Sequence, residues 1–141
     1  MANEVQQFDI VIIGGGPGGY AAALYGAAAG LNIALVERDK VGGTCLHRGC
    51  VPAKEFLETA HVRRTIEHAS AFGIGTGSVT VDFSVSQTRK NDVVDKLHKG
   101  LSGLLKGRKV TSSKGPHGST RITSSEWLTV PTPGSKRGAR T

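Results

Sequence analysis

An α/β fold built on a strand–helix–strand unit is predicted by three features near the start of the chain. Residues 8–13 form a short, mostly apolar run that stops at a string of glycines, residues 19–29 are alanine-rich, and residues 32–37 form a second short apolar run. The first run has the pattern of a strand buried on both faces of a parallel sheet. Alanine favours helix, and Gly30 supplies a stop for the second segment. Two such strands joined by one helix within about thirty residues make a βαβ crossover. Further on, Pro52 suits the first turn of a helix that runs to Phe72, where Gly73 and Gly75 break the pattern. Ala53, Phe56, Leu57 and Ala60 share one face of it, whereas Val62, Ile66 and Ala69 fall nearly opposite. That helix is expected to bend near His61 or to be covered on its two sides in turn. Residues 79–83 read as a short strand or an extended link. Val93, Val94, Leu97, Leu101, Leu104 and Leu105 then form an amphipathic stripe among Lys90, Asp92, Lys96 and Lys99, a helix ending at Gly107.

The glycines between the first strand and its helix carry a motif. Gly14, Gly16 and Gly19 satisfy G-x-G-x-x-G directly after a strand, at the opening of a helix, with Glu37 at the end of the next strand. Each position has a physical reading: Gly14 permits the tight turn, Gly16 lets the backbone approach a pyrophosphate, and Gly19 lets helix and strand pack closely. Backbone N–H groups at the helix start, with the positive end of the helix dipole behind them, would face the phosphates. Glu37 would accept hydrogen bonds from ribose hydroxyls. An acid there repels a 2′-phosphate, so an NADP-type ligand is not expected. The fold class is therefore a Rossmann-like, dinucleotide-binding βαβ arrangement, with a merely structural glycine turn and Glu37 solvated at a strand end as the plainer alternative.

Composition agrees. The 141 residues include 20 glycines, about twice ordinary usage, which suits a loop-rich nucleotide-binding fold better than a helical bundle. At this length one domain is expected and a large multidomain enzyme is not. Residues 1–108 carry 12 Lys and Arg against 10 acids, while residues 109–141 carry six against one. Ser, Thr, Gly and Pro make up 19 of those last 33 residues, too little apolar surface to offset the entropy of ordering them. Two regions follow: residues 1–108 as the folded part, and residues 109–141 as a basic, flexible tail. Residues 1–7 are polar, with Glu4 and no Lys or Arg, so no leader peptide is expected. The most apolar window, residues 20–36, is interrupted by Gly26, Gly30 and Asn32, short of the roughly 20 apolar residues that cross a membrane. A soluble, cytoplasmic protein without membrane contact is the expectation.

Cys45 and Cys50 are too few for a secreted disulfide scaffold and, without histidines at ligand spacing, for a zinc site. No metal is expected. Five positions apart on a regular helix, the two side chains would point roughly 140° away from each other, so a disulfide needs a looped turn, for which Gly49 gives freedom. Cys50 falls at a helix N-terminus, where the dipole favours thiolate. Spacing alone leaves both a disulfide and two unpaired, buried thiols open.

The segment Gly42-Gly43-Thr44-Cys45-Leu46-His47-Arg48-Gly49-Cys50-Val51-Pro52-Ala53-Lys54 strongly resembles the redox-active segment of the FAD-dependent pyridine nucleotide-disulfide oxidoreductases. The opening at residues 8–20 resembles that family's FAD-binding start, and the Leu-His-Arg filling between the cysteines is most similar to its dihydrolipoyl dehydrogenase branch. The resemblance covers residues 8–108. It implies that Gly14, Gly16, Gly19 and Glu37 bind the ADP half of FAD, with Gly43 and Thr44 adding to the cofactor site. It implies a redox disulfide in which Cys45 is the interchange thiol facing the lipoyl group and Cys50 the partner at the flavin. Lys54 is similar to the lysine beside the flavin ring in this family, where its charge stabilises reduced flavin; read alone, it is a solvated helix charge. His47 invites assignment as a base, but its place between the cysteines argues against that, and the family's base comes from a C-terminal domain of the partner subunit. The implied reaction passes two electrons from a dihydrolipoyl group of a 2-oxo acid dehydrogenase complex to NAD⁺, in a homodimer.

Other features limit that expectation. A second dinucleotide fold for NAD and a dimerisation domain do not fit in 141 residues, and the run at residues 73–78 fails the glycine pattern at Ser78. After Arg108 the family continues with a strand, a tight turn and an Ala-Thr-Gly stretch. Here the sequence reads Thr111-Ser112-Ser113-Lys114-Gly115-Pro116, the pattern of a truncated or frame-shifted reading. The chain alone is expected to hold FAD weakly or not at all and to be inactive with NAD⁺. The competing class is a non-enzymatic fragment, or a nucleic-acid-binding module using Lys109, Lys114, Arg121, Lys136, Arg137 and Arg140 with Trp127 as a stacking group. Solvated charge is the plainer reading of that tail, so nucleic acid is not expected as a partner.

Overall fold

The computed structural model describes residues 7–114. Strand β1 (Ile10–Ile13) leads into helix α1 (Pro17–Ala28) and strand β2 (Ile33–Glu37). A short helix α2 (Gly43–His47), a long helix α3 (Cys50–Glu67) with a 3₁₀ turn at Ala69–Phe72, helix α4 (Phe83–Gly107) and strand β3 (Thr111–Lys114) follow. The three strands form one parallel sheet in the order β1-β2-β3, with Ile10 opposite Ile33 and Ala34 opposite Thr111. The α/β class and the first crossover are as the periodicity predicts.

Helix α1 starts with Pro17 at its first position, where a missing N–H costs nothing, and Gly30 takes a left-handed φ of +83° just past its end. The Leu31 N–H then returns to the Gly26 carbonyl at 3.1 Å, which turns the chain directly into β2. Ala23, Ile33, Leu35, Leu105 and Val110 form the core, so the C-terminal part of α4 packs against the βαβ unit.

Four expectations change. Strand β1 is not buried on both faces, since Ile10 and Ile13 are exposed. Among the described strands it pairs with β2 alone, and an apolar run shows what could be buried, not what covers it. The helix from Pro52 keeps α-geometry only to Glu67 and then tightens to the 3₁₀ turn that ends at Gly73, φ +74°. Residues 79–82 are an extended link, one of the two readings the sequence allows, but α4 begins earlier than its apolar stripe suggests, because Asp82 caps it by accepting from the Ser84 N–H at 2.8 Å. Finally, residues 109–114 belong to the fold rather than to a flexible tail. Helix α4 ends at Gly107 as its stripe predicts, and Lys109 makes the left-handed reversal after it, with φ +58°. The Val110 N–H bonds the Leu105 carbonyl at 3.0 Å and the Lys109 N–H bonds Lys106 at 3.0 Å, a Schellman closure whose apolar contact is the buried Leu105–Val110 pair. β3 follows as a strand of exposed polar side chains held by backbone pairing to β2.

Arg121, Trp127, Lys136, Arg137 and Arg140 lie outside the described residues. Among the described residues no helix is long and apolar enough to cross a membrane, and no three His, Cys, Asp or Glu side chains are grouped to hold a metal ion.

Candidate functional site

The glycine turn sits where β1 hands over to α1. The Gly14 N–H bonds the Val36 carbonyl at 2.8 Å, and Gly14 then turns with φ +101°, a conformation that strains any L side chain. A Cβ on Gly19 would run into the Gly14 carbonyl, so helix and turn touch backbone to backbone there. A Cβ on Gly16 would meet nothing within 4 Å. The turn is thus closed on its inner side and open on its outer side, and α1 starts with no side-chain cap and no acid in its first turn. Free N–H groups, the dipole's positive end and an open glycine surface fit a pyrophosphate.

Glu37 is held more firmly than a solvated strand end. Its carboxylate accepts from the Asp39 N–H at 2.9 Å and from the Gly15 N–H at 2.6 Å. The Asp39 N–H, helped by those of Gly15 and Arg38, holds the carboxyl below its ordinary pKa against the cost of partial burial. Glu37 is therefore an ionised acceptor that also ties the turn to β2, a contact the motif by itself does not announce.

Cys45 and Cys50 are joined in a disulfide, which settles the choice the spacing leaves open. Cys45 lies in α2 and Cys50 is the first residue of α3. Arg48 and Gly49 leave helical geometry between them, and this brings the two Cα atoms to 4.7 Å, inside the range a disulfide spans. Cys45 is half-buried and Cys50 exposed. Lys54 stands one turn after Cys50, on the same side of α3. It is exposed and has no ion pair among the described residues. Thr44 is exposed beside Cys45.

The two motifs meet. The Gly42 N–H donates to the Gly15 carbonyl at 2.7 Å, and a Cβ on Gly43 would come within 2.9 Å of the Gly16 Cα. Gly42 and Gly43 take φ values of +109° and +60°, so the stretch before Cys45 can press against the glycine turn only because it lacks side chains. One residue, Gly15, serves Glu37 with its N–H and the cysteine segment with its carbonyl. Two side chains anchor the other end of that segment. Arg48 pairs with Asp39 at 2.7 Å and holds the Asp39 carboxyl below its ordinary pKa, and His47 Nε2 lies 2.9 Å from the Val41 carbonyl. His98 of α4 reaches that same carbonyl at 3.0 Å. Its membership of the site is invisible in the sequence, because 57 positions separate it from Val41 and it sits within an ordinary helical pattern.

Residues 8–128 match the pyridine nucleotide-disulphide oxidoreductase family. The chain belongs to that family. Over 104 residues the chain is 49% identical to the dihydrolipoyl dehydrogenase of Bacillus subtilis (strain 168), covering 74% of this chain and 22% of the relative. The dihydrolipoyl dehydrogenase of Chlamydia pneumoniae is 46% identical over 110 residues, 78% of this chain and 24% of the relative. The crystal structure of LpdA from Mycobacterium tuberculosis shares the fold, with a TM-score of 0.68 at 24% identity over 74% of this chain and 23% of that one. The chain spans about a quarter of the length of the curated relatives it matches.

Proposed function

We propose that this chain supplies the FAD-binding turn and the redox disulfide of a dihydrolipoyl dehydrogenase, which passes two electrons from dihydrolipoyl groups of a 2-oxo acid dehydrogenase complex to NAD⁺. The observation that carries this reading is the Cys45–Cys50 disulfide on a segment pressed against the glycine turn through Gly42 and Gly43. Gly14, Gly16 and Gly19 would hold the pyrophosphate of FAD, Glu37 its ribose, and Gly43 and Thr44 would flank it, with Lys54 as the cation beside the flavin ring. FAD, when bound, supplies a two-electron acceptor that thiols alone lack.

The protein's own step is thiol–disulfide exchange. One thiolate of a dihydrolipoyl group attacks Cys45 Sγ, the Cys45–Cys50 bond breaks, and Cys50 leaves as thiolate. The second lipoyl thiolate then attacks the sulfur bound to Cys45. A lipoyl disulfide forms, and Cys45 leaves as the second thiolate. The lipoyl group is oxidised by two electrons and the cysteine pair reduced by two. Cys50 at the first position of α3 is placed for the helix dipole to favour its thiolate. Turnover to NADH is proposed for the homodimeric assembly of full-length relatives, and these 141 residues are expected to retain FAD weakly and to give no NAD⁺ reduction.

Alkylation followed by mass spectrometry tests the reading. The air-oxidised 141-residue chain is expected to take no label at Cys45 or Cys50, and two labels after treatment with dihydrolipoamide. Two free thiols in the oxidised chain would overturn the redox reading. Steady NAD⁺ reduction with dihydrolipoamide by a yellow preparation would overturn the expectation of inactivity alone.

A further inference from the structure

We propose that His98 and His47 are positioning residues for the Cys45–Cys50 pair, acting together through the Val41 carbonyl. The proposal rests on the redox reading of those cysteines. His47 Nε2 and His98 Nδ1 lie 2.9 and 3.0 Å from the same oxygen, and the two half-buried rings stand edge to face with centroids 5.0 Å apart. A carbonyl oxygen only accepts, so both nitrogens must carry hydrogen, and its two lone pairs are both used. This fixes the neutral tautomers as Nε2–H for His47 and Nδ1–H for His98.

The position of Val41 gives the contact its consequence. Val41 directly precedes Gly42, whose left-handed turn opens α2, and His47 is the last residue of α2. His47 thus folds α2 back on its own entrance, and His98 fastens that entrance to α4. Cys45 rides on α2 and Cys50 starts α3. Helices α3 and α4 are in turn joined by stacking of Phe56 on Phe83 at 5.4 Å and by Arg89 Nε at 3.1 Å from Glu55 Oε2. The two sulfurs are therefore carried by elements that α4 holds from both sides. A dithiol kept at short range recloses more readily, because disulfide formation scales with the effective concentration of one thiol at the other. Neither histidine touches a sulfur in this account; each sets where α2 stands.

The test is the thiol–disulfide equilibrium of the full 141-residue chain in glutathione buffers, read by alkylation and mass spectrometry. H98L and H47L should shift it toward the dithiol by about fivefold, the equivalent of the ~1 kcal/mol that one hydrogen bond contributes. An asparagine carries its donor at the Nδ1 position and a glutamine at Nε2, so H98N and H47Q should restore the wild-type equilibrium while H98Q should not. Should H98L lose helical circular dichroism, the comparison of H98N with H98Q decides, since both are polar amides. Equal equilibria for H98N, H98Q and the wild type would overturn the positioning role. A wild-type chain with both thiols free in oxidising buffer would overturn the redox reading itself, and the inference with it.

Discussion

Strand β2 lies between two neighbours with Ile33 and Leu35 shut away from solvent, whereas α3, with 18 residues, buries only Pro52 and leaves Leu57 and Val62 in water. The first region, β1–α1–β2, is stabilised by apolar side chains that interlock and by backbone that approaches closely at Gly19 and Gly26. The second, α3 with the N-terminal half of α4, is held by separate anchors: the Asp82 cap, the Phe56–Phe83 stack and the Arg89–Glu55 pair, while His98 farther along α4 fastens it to Val41 at the entrance of α2. The Cys45–Cys50 disulfide joins them, since α2 leans on the glycine turn and Cys50 opens α3. What differs between the regions is the source of order, burial in one and discrete polar or aromatic contacts in the other.

The strongest way to break this contrast is at Leu35, which is wholly buried at the centre of the sheet. Leu35→Ala removes buried methyl groups and leaves a cavity, and should lower unfolding stability by about 3 kcal/mol. Urea denaturation followed by circular dichroism measures it, and a loss under about 1 kcal/mol would mean the core is not where order originates.

A smaller effect is expected at Glu37, where the first region joins the site. Two backbone N–H groups donate to its carboxylate, and Glu37→Gln should cost roughly 1–2 kcal/mol at neutral pH. The pH dependence has a definite sign. The folded-state pKa lies below the ordinary 4.5, so the unfolded chain takes up the proton first as acid is added. The stabilisation is present in full above 4.5 and is lost as pH falls through the folded value. The gap between wild type and E37Q should therefore close between neutral pH and acid. A gap of unchanged size down to pH ~3 would show that the carboxylate's charge plays no part.

The same contrast explains what could be read from the residues. The βαβ unit was legible because its signals are local: Gly14, Pro17, Gly19 and Gly30 each solve a backbone problem in place, and β2 is a nearly continuous apolar run. The cysteine segment was legible through its resemblance, although spacing alone left the disulfide open. β3 was hidden because Thr111-Ser112-Ser113-Lys114 has no apolar face and is defined by backbone pairing and by the Leu105–Val110 contact behind it. The start of α4 was hidden for a related reason. Phe83 and Val85 are exposed, so no buried stripe marks the first turns, and only the Asp82 cap does. The junction of Gly15 with both Glu37 and Gly42, and the arrival of His98 at Val41, depend on tertiary closure that no local pattern encodes.

The smallest effect sharpens the contrast from the other side. Leu57 has the same side chain as Leu35 but is 67% exposed on α3. Exchanging it for a polar residue of similar length removes little buried area and leaves helix propensity nearly unchanged. Leu57→Gln should then alter unfolding stability by less than about 0.5 kcal/mol, measured in the same urea titration as Leu35→Ala. Because the two substitutions start from one residue type, their difference isolates burial from side-chain identity. A loss at Leu57 as large as that at Leu35 would mean that the outer face of α3 is not solvated in the folded chain, and the division into a packed region and an anchored one would fail.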